Sequence, residues 1–485
     1  MILRQKPVIF SLVLFSLTLF ARQFRLSHTY RGYIGGVFHV LLGEFVYVDF
    51  FPYICRRNVT IYRRIIMKWK VLARVVVLGF VVLVSMLTAC SDSDNQEQGG
   101  REDPESEATP PTDVSTQTLL EVIEKSEYTP TEFGEAIGSW PMLSYAGEGV
   151  ANLMKRTLRT VATTRIPLMD ARFLRTVGLA ANGSRQWIIK RRVFTYQSIS
   201  NMTGNDTTLV GSVIFPTNTV GKPHQVDILT LYHHQAYFEK SWLPSQSVTL
   251  MAMHALNNSA VIEPDGLGAS DDMNKLIYET IYGDLSCLQM VDCVLAALEV
   301  MRQEGVTLAD NGYTNNWGTS LGTTSATAFA QYMENDATPE LQQLLKLRAT
   351  YIGEGPTKFS QIKDCKQYEA DLPVQKYFYG WNPRLPFYMS SCKDDELIVY
   401  DELKSYYTQL RTMPDGSVNT NVKWCDFHMP AIVKSITSSE DLSKMTWGIG
   451  NHLLSAVVSL MAASIVKDPD DMERILMSNN IFDEE

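Results

Sequence analysis

Apolar and polar positions divide the chain into three regimes. Residues 8–20 and 71–89 form long apolar runs, the first after Arg4 and Lys6, the second after Lys68 and Lys70. Residues 92–113 are polar and rich in Glu, Ser, Thr and Pro; such a stretch cannot bury a core and reads as a flexible tether. From about residue 114 the pattern becomes globular. Apolar residues at helical spacing predict short amphipathic helices over 118–125 and 151–158. Residues 191–200 and 207–216 carry β-branched and aromatic side chains around an Asn-Met-Thr-Gly-Asn-Asp turn, which predicts a hairpin. Beyond it, strands are predicted at 226–232, 259–263, 313–317, 386–391 and 421–427. Helices are predicted at 248–256, 282–304, 323–333, 397–410 and 452–466. This alternation implies an α/β domain over 114–485: a mostly parallel sheet with helices on both faces. Residues 337–381 fit the alternation poorly and are expected to be an inserted lid of about one helix pair. No internal repeat is visible.

Composition changes the picture in one respect. Of 485 residues, 45% are hydrophobic and 20% charged, the balance of a globular protein rather than a disordered or fibrous one. The net charge of −10 hides an asymmetry: residues 1–89 hold 12 Lys/Arg and 2 Asp/Glu, and the remainder holds 31 and 51. So acidic a body gives no electrostatic reason to expect nucleic acid as a partner. The basic excess sits where a targeting segment uses it. Residues 67–89 have a basic start, an apolar stretch and small residues before a break, the layout of a secretory signal. They end Leu87-Thr88-Ala89-Cys90, which resembles the lipobox of bacterial lipoproteins. That resemblance implies lipidation at Cys90, a membrane partner through the lipid, and a place in the bacterial cell envelope, at the outer membrane or cell surface. Translation is then expected to start at Met67, with residues 1–66 an upstream hydrophobic segment outside the mature protein.

Gly318-Thr319-Ser320-Leu321-Gly322 fits G-x-S-x-G. Alone the pattern is weak. Here a predicted strand ends at Trp317 and a small-residue helix begins near Thr323, the setting a nucleophilic serine needs. The tight turn exposes the serine, flanking glycines let neighbouring chain come close, and the Leu321 amide is placed to meet an oxyanion.

The residues around this elbow resemble the secretory-lipase-like branch of the α/β-hydrolase superfamily. Tyr232-His233-His234-Gln235-Ala236, then Trp242-Leu243-Pro244-Ser245, resembles its tyrosine–histidine–glycine loop and proline–serine element. Glu263-Pro264-Asp265-Gly266 resembles its proline–aspartate loop. Gln235 stands where the family has glycine; the resemblance implies that the second oxyanion amide comes from Gln235 or Ala236. The chain order is serine, acid, histidine. Cys392-Lys393-Asp394-Asp395 follows a predicted strand and aligns Asp395 with the family's acid, with Asp394 one residue away as the alternative. His452 opens the final apolar helix, as the branch prefers for its base; His428, directly after the last strand, is the alternative. The resemblance implies a serine esterase acting on small-molecule esters through an acyl-enzyme, with no cofactor. A peptidase of the same fold and a catalytically inactive binding lipoprotein are the other outcomes. No Cys/His spacing suggests a metal site. Cys365, Cys392 and Cys425 are the candidates for disulfides in an oxidising compartment.

Overall fold

The computed structural model describes residues 118–146, 187–199, 206–218, 223–237, 239–266, 283–356, 380–428 and 450–472. All lie within the unit Arg74–Glu485. Cys90, the signal and tether segments, Cys365 and the helix expected at 151–158 lie outside the described residues.

Among the described residues nine strands form one sheet: β1 (Leu119–Tyr128), β2 (Trp187–Ile199), β3 (Asp206–Asn218), β4 (His224–His233), β5 (Ser259–Pro264), β6 (Val306–Thr319), β7 (Leu347–Gly353), β8 (Phe387–Cys392) and β9 (Val422–Phe427), in the spatial order β1-β2-β3-β5-β4-β6-β7-β8-β9. The first three strands and the β3–β5 pair are antiparallel. From β5 through β9 every pairing is parallel. The chain steps from β4 to β5 on one side and then to β6 on the other, so strand order reverses between β4 and β6, outside whose carboxyl ends open α/β sheets place their ligands.

The described helices are α1 (Pro130–Gly138), α2 (Gly283–Gln303), α3 (Gly322–Asn335), α4 (Pro339–Leu345), α5 (Tyr400–Arg411) and α6 (Gly450–Ile465). Covered on both faces, the central strands lose polar alternation: all six residues of β5 are buried. On β4, Leu229 and Leu231 join a core with Val294 of α2 and Phe329 of α3. Tyr232 turns the other way, into a core with Trp140, Met251 and Leu460 of α6. This is the α/β architecture the pattern implies.

Four expectations are corrected. Residues 118–125 are not helical: Thr118 is in a turn and 119–125 lie in the edge strand β1. Register shifts between Leu119 and Glu121, and between Val122 and Glu124, break its two-residue alternation. Leu119 and Val122 thus pack against the same core at a helix-like spacing of three. The lid expected at 337–381 is too wide. Residues 347–353 form β7, paired on both sides inside the sheet, and its last five residues are buried. Residues 357–379 of that range lie outside the described residues. Residues 250–257 form a 3₁₀ rather than an α-helix, with Leu250 through Leu256 all buried. Cys392 is a free buried thiol and so is not in a disulfide, and Cys425 is buried in β9.

Candidate active site

β6 delivers Ser320 at the switch point of the sheet. The serine has φ +50°, the left-handed region that L side chains with a Cβ rarely occupy. Its N–H donates to Gly353 O at 2.8 Å and its carbonyl accepts from Thr323 N at 3.0 Å, the first turn of α3. The elbow holds because its neighbours lack side chains. A Cβ on Gly318 would lie 2.6 Å from Ala326 Cβ and from Gly322 O. One on Gly322 would lie 2.6 Å from His233 C and 2.7 Å from His234 O, at the end of β4, and closer still to His233 O. Both glycines of the motif are thus required by close backbone approach.

Ser320 Oγ lies 2.8 Å from Nε2 of His452. His452 Nδ1 lies 2.8 Å from Oδ2 of Asp395. Asp395 sits in the turn after β8, where its Oδ1 accepts from the amides of Leu397 and Ile398 at 2.8 and 3.0 Å. Ser455 Oγ is 3.2 Å from Oδ2. His452 and Ser455 are three residues apart in the first turns of α6, on the face turned to the sheet. Serine and histidine are nearly buried, and the Asp395 side chain is 1% exposed.

The electrostatics follow from this geometry. Burial pulls the imidazole of His452 downward, but the Asp395 charge and hydrogen bond, with Glu396 and Glu354 behind them, outweigh it, and the net shift is upward. Burial pushes Asp395 up; the His452 charge and hydrogen bond and the two amides outweigh that, and its carboxyl is held below the usual aspartate value.

The alternative candidates pair with each other instead. His428 Nδ1 is 3.4 Å from Asp394 Oδ2, and the His428 side chain is 47% exposed. Leu321 starts α3 in right-handed helical geometry, beside the serine. β4 and β6 pair His233 with Gly318, which sets residues 234–236 next to the elbow. The Gln235 side chain points into the core: Oε1 accepts from Tyr232 Oη and from Thr319 Oγ1, and Nε2 donates to Met142 Sδ at 2.7 Å. Only the backbone of Gln235 is left to face the serine. His234 stacks on Tyr237, with ring centroids 4.3 Å apart, and its two nitrogens lie 2.6 and 2.8 Å from the carbonyl oxygens of Gln235 and Asp265. It is a brace for this loop. His233 is buried beside Phe329, and burial pushes its pKa down to about 3, so it stays neutral.

A buried polar group beside the relay was not singled out from sequence. Glu354, Ser390, Tyr351 and Ser459 form a connected set. Its signal was the Gly-Glu-Gly at 353–355, which no motif made conspicuous.

No family model matches the chain, and no curated protein does. Among solved structures the chain resembles the rice cell wall degrading esterase LipA from Xanthomonas oryzae, at 13% identity and TM-score 0.41, over 70% of this chain and 97% of that one. It also resembles Candida antarctica lipase A, at 12% identity and TM-score 0.37, over 77% of this chain and 95% of that one. Neither likeness bears on the chemistry of this chain, which rests on its own side chains.

Proposed function

We propose that the protein is a serine hydrolase that cleaves carboxylic esters of small molecules through an acyl-enzyme. The observation that supports this most is the unbroken relay from Asp395 through His452 to Ser320, with the serine on a left-handed elbow. Ser320 Oγ attacks the ester carbonyl while His452 Nε2 takes its proton. Asp395 holds the ring by Nδ1 and stabilises the imidazolium that forms. The developing oxyanion sits against the Leu321 amide and a backbone amide of Gln235 or Ala236. His452 then returns the proton to the leaving alcohol, and water, activated by the same ring, releases the acid.

The test is hydrolysis of a panel of chromogenic esters and aminopeptide amides by wild type and Ser320→Ala. Turnover of esters that disappears in the variant is the expected result. Cleavage of the amides alone transfers the protein to the peptidases. Failure to act on either, by a folded protein, points to a binding role.

Attachment to the envelope through a lipid on Cys90 is part of the same proposal and is supported by the Leu-Thr-Ala-Cys sequence alone. Cys90→Ala is expected to move the protein from the membrane to the soluble fraction. A variant that still sediments with membranes in high salt argues for an upstream span.

A further inference from the structure

Glu354 sits where backbone geometry favours glycine. It lies between two glycines that touch the elbow: Gly353 O accepts from Ser320 N at 2.8 Å, and a Cβ on Gly355 would lie 2.6 Å from Ser320 C. Glu354 itself has φ +48°, a conformation glycine adopts without strain. Its carboxyl is completely buried. Oε1 accepts from Ser390 Oγ at 2.7 Å, while Oε2 has no hydrogen-bond partner among the described residues. A strained backbone and a half-satisfied buried carboxyl both oppose a glutamate here. Packing alone supplies no reason for one.

What the carboxyl faces supplies the reason. Ser390 of β8 donates to it, and its charge is felt by Tyr351 of β7, Cys392 of β8 and Asp395 in the turn after β8. From α6 the Ser459 hydroxyl and the His452 ring act on its charge, and Cys425 of β9 acts on Tyr351. Ser390 Oγ is also 2.7 Å from Tyr351 Oη, which is hydrogen-bonded to Ser459. Ser459 is two helical turns from His452 on the same face of α6. The carboxyl is therefore tied, through Ser390 and Tyr351, to the helix that carries His452.

We propose, on the reading of Ser320, His452 and Asp395 as a triad, that Glu354 is a positioning residue whose ionised carboxylate serves as a second counter-charge for the His452 imidazolium. It acts through the field at the moment Ser320 gives up its proton, and forms no bond to the substrate. Burial pushes its carboxyl up to about 7, against the Ser459 and Ser390 hydroxyls, which pull it down; the Asp395 charge pushes up and His452 pulls down. Glu354 thus gains its charge as pH rises through about 7. Raising pH removes one proton from His452, which the mechanism requires, and one from Glu354, which strengthens the base it leaves behind.

The experiment follows the rate at which a fluorophosphonate labels Ser320, from acid to alkaline pH, in wild type and Glu354→Gln. Glutamine keeps an oxygen for Ser390 and removes only the charge. The expected alkaline plateau is lower by about three- to tenfold, and the midpoint of the rise moves to lower pH because His452 has lost a negative neighbour. A loss by one constant factor at every pH, with the midpoint unmoved, makes Glu354 merely structural and overturns the proposal; so do superimposable curves. If Glu354→Gln does not fold, the wild-type curve decides: its rise must extend beyond a single-proton curve by the same factor, and a single-proton fit overturns the proposal. Wild type that never labels brings down the triad reading itself, an outcome distinct from a labelled wild type whose variant is unchanged.

Discussion

Gly322→Ala tests the elbow at the point where two backbones come closest. The new methyl would lie 2.6 Å from His233 C and 2.7 Å from His234 O, and nearer still to His233 O. Carbon contacts are comfortable at about 3.5 Å, so relief requires β4 and the elbow to separate by roughly 1 Å. Every atom in the way is backbone, and no rotamer change can make room. Overpacking of this kind costs about 1–3 kcal/mol. The displacement falls on the loop of Gln235 and Ala236 and on Ser320 together, and a shift of about 1 Å in reacting groups lowers reactivity by roughly a hundredfold. Gly305→Ala is the matched control. That glycine lies in the turn between α2 and β6, has φ +71° and has nothing within 4 Å of its added Cβ. It should lose about 1–2 kcal/mol from backbone strain and keep its reactivity. Melting temperature and the rate of fluorophosphonate labelling, measured side by side, separate the two. If Gly322→Ala labels as fast as Gly305→Ala, the close approach of β4 to the elbow is refuted.

His452→Ala should lower labelling about a thousandfold or more, because the serine loses its proton acceptor. His428→Ala should change labelling and melting temperature little, since among the described residues its half-exposed ring pairs with Asp394 at the rim; the reverse pattern moves the base to His428. Labelling requires neutral His452, whose pKa is raised above 6.5, so the rate should climb with pH through a midpoint above that value. Asp395→Asn should lower the midpoint and reduce the rate by about 10³–10⁴, and a pH–rate series that leaves the midpoint in place contradicts the pairing. Glu263 is buried, accepts from Thr249 at 2.6 Å through Oε1, and has its carboxyl pushed up to about 7 by burial. The unfolded chain releases that proton near 4.5, so between those values the native state binds more protons. The stability Glu263 gives is full below 4.5 and falls as pH rises to about 7, by up to about 3 kcal/mol. Glu263→Gln should therefore melt higher than wild type in mildly alkaline buffer and not in acid; an equal gap at both contradicts the assignment.

The sequence made the parallel half of the sheet legible because its strands are short apolar runs closed by turns, and burial on both faces leaves no other role for them. It was misleading at β1, where bulges imitate a helical period, and at β7, whose Leu-Arg-Ala-Thr-Tyr-Ile-Gly has a polar start that hides an interior strand. Ser320 could be found because an elbow needs glycines at fixed offsets. Asp395 and His452 could be placed only by family resemblance, since one carboxylate or imidazole in a run of candidates looks like its neighbours. Their selection is three-dimensional: Asp395 lies where two amides and α6 converge, while Asp394 faces the rim. Glu354 was invisible for a related reason. A single glutamate between glycines carries no period and no motif, and its meaning arises only when β7, β8 and α6 bring Ser390, Tyr351, Ser459 and His452 around it.

The most direct measurement is peptide mapping of wild-type protein after reaction with a fluorophosphonate, beside Ser320→Ala treated in the same way. An activated serine should take one phosphonyl group per chain, on the peptide that contains Ser320, and the folded variant should take none. A label on another residue, equal labelling of the variant, or an unreactive wild type with native melting behaviour would contradict the assignment of Ser320, His452 and Asp395 as the catalytic relay.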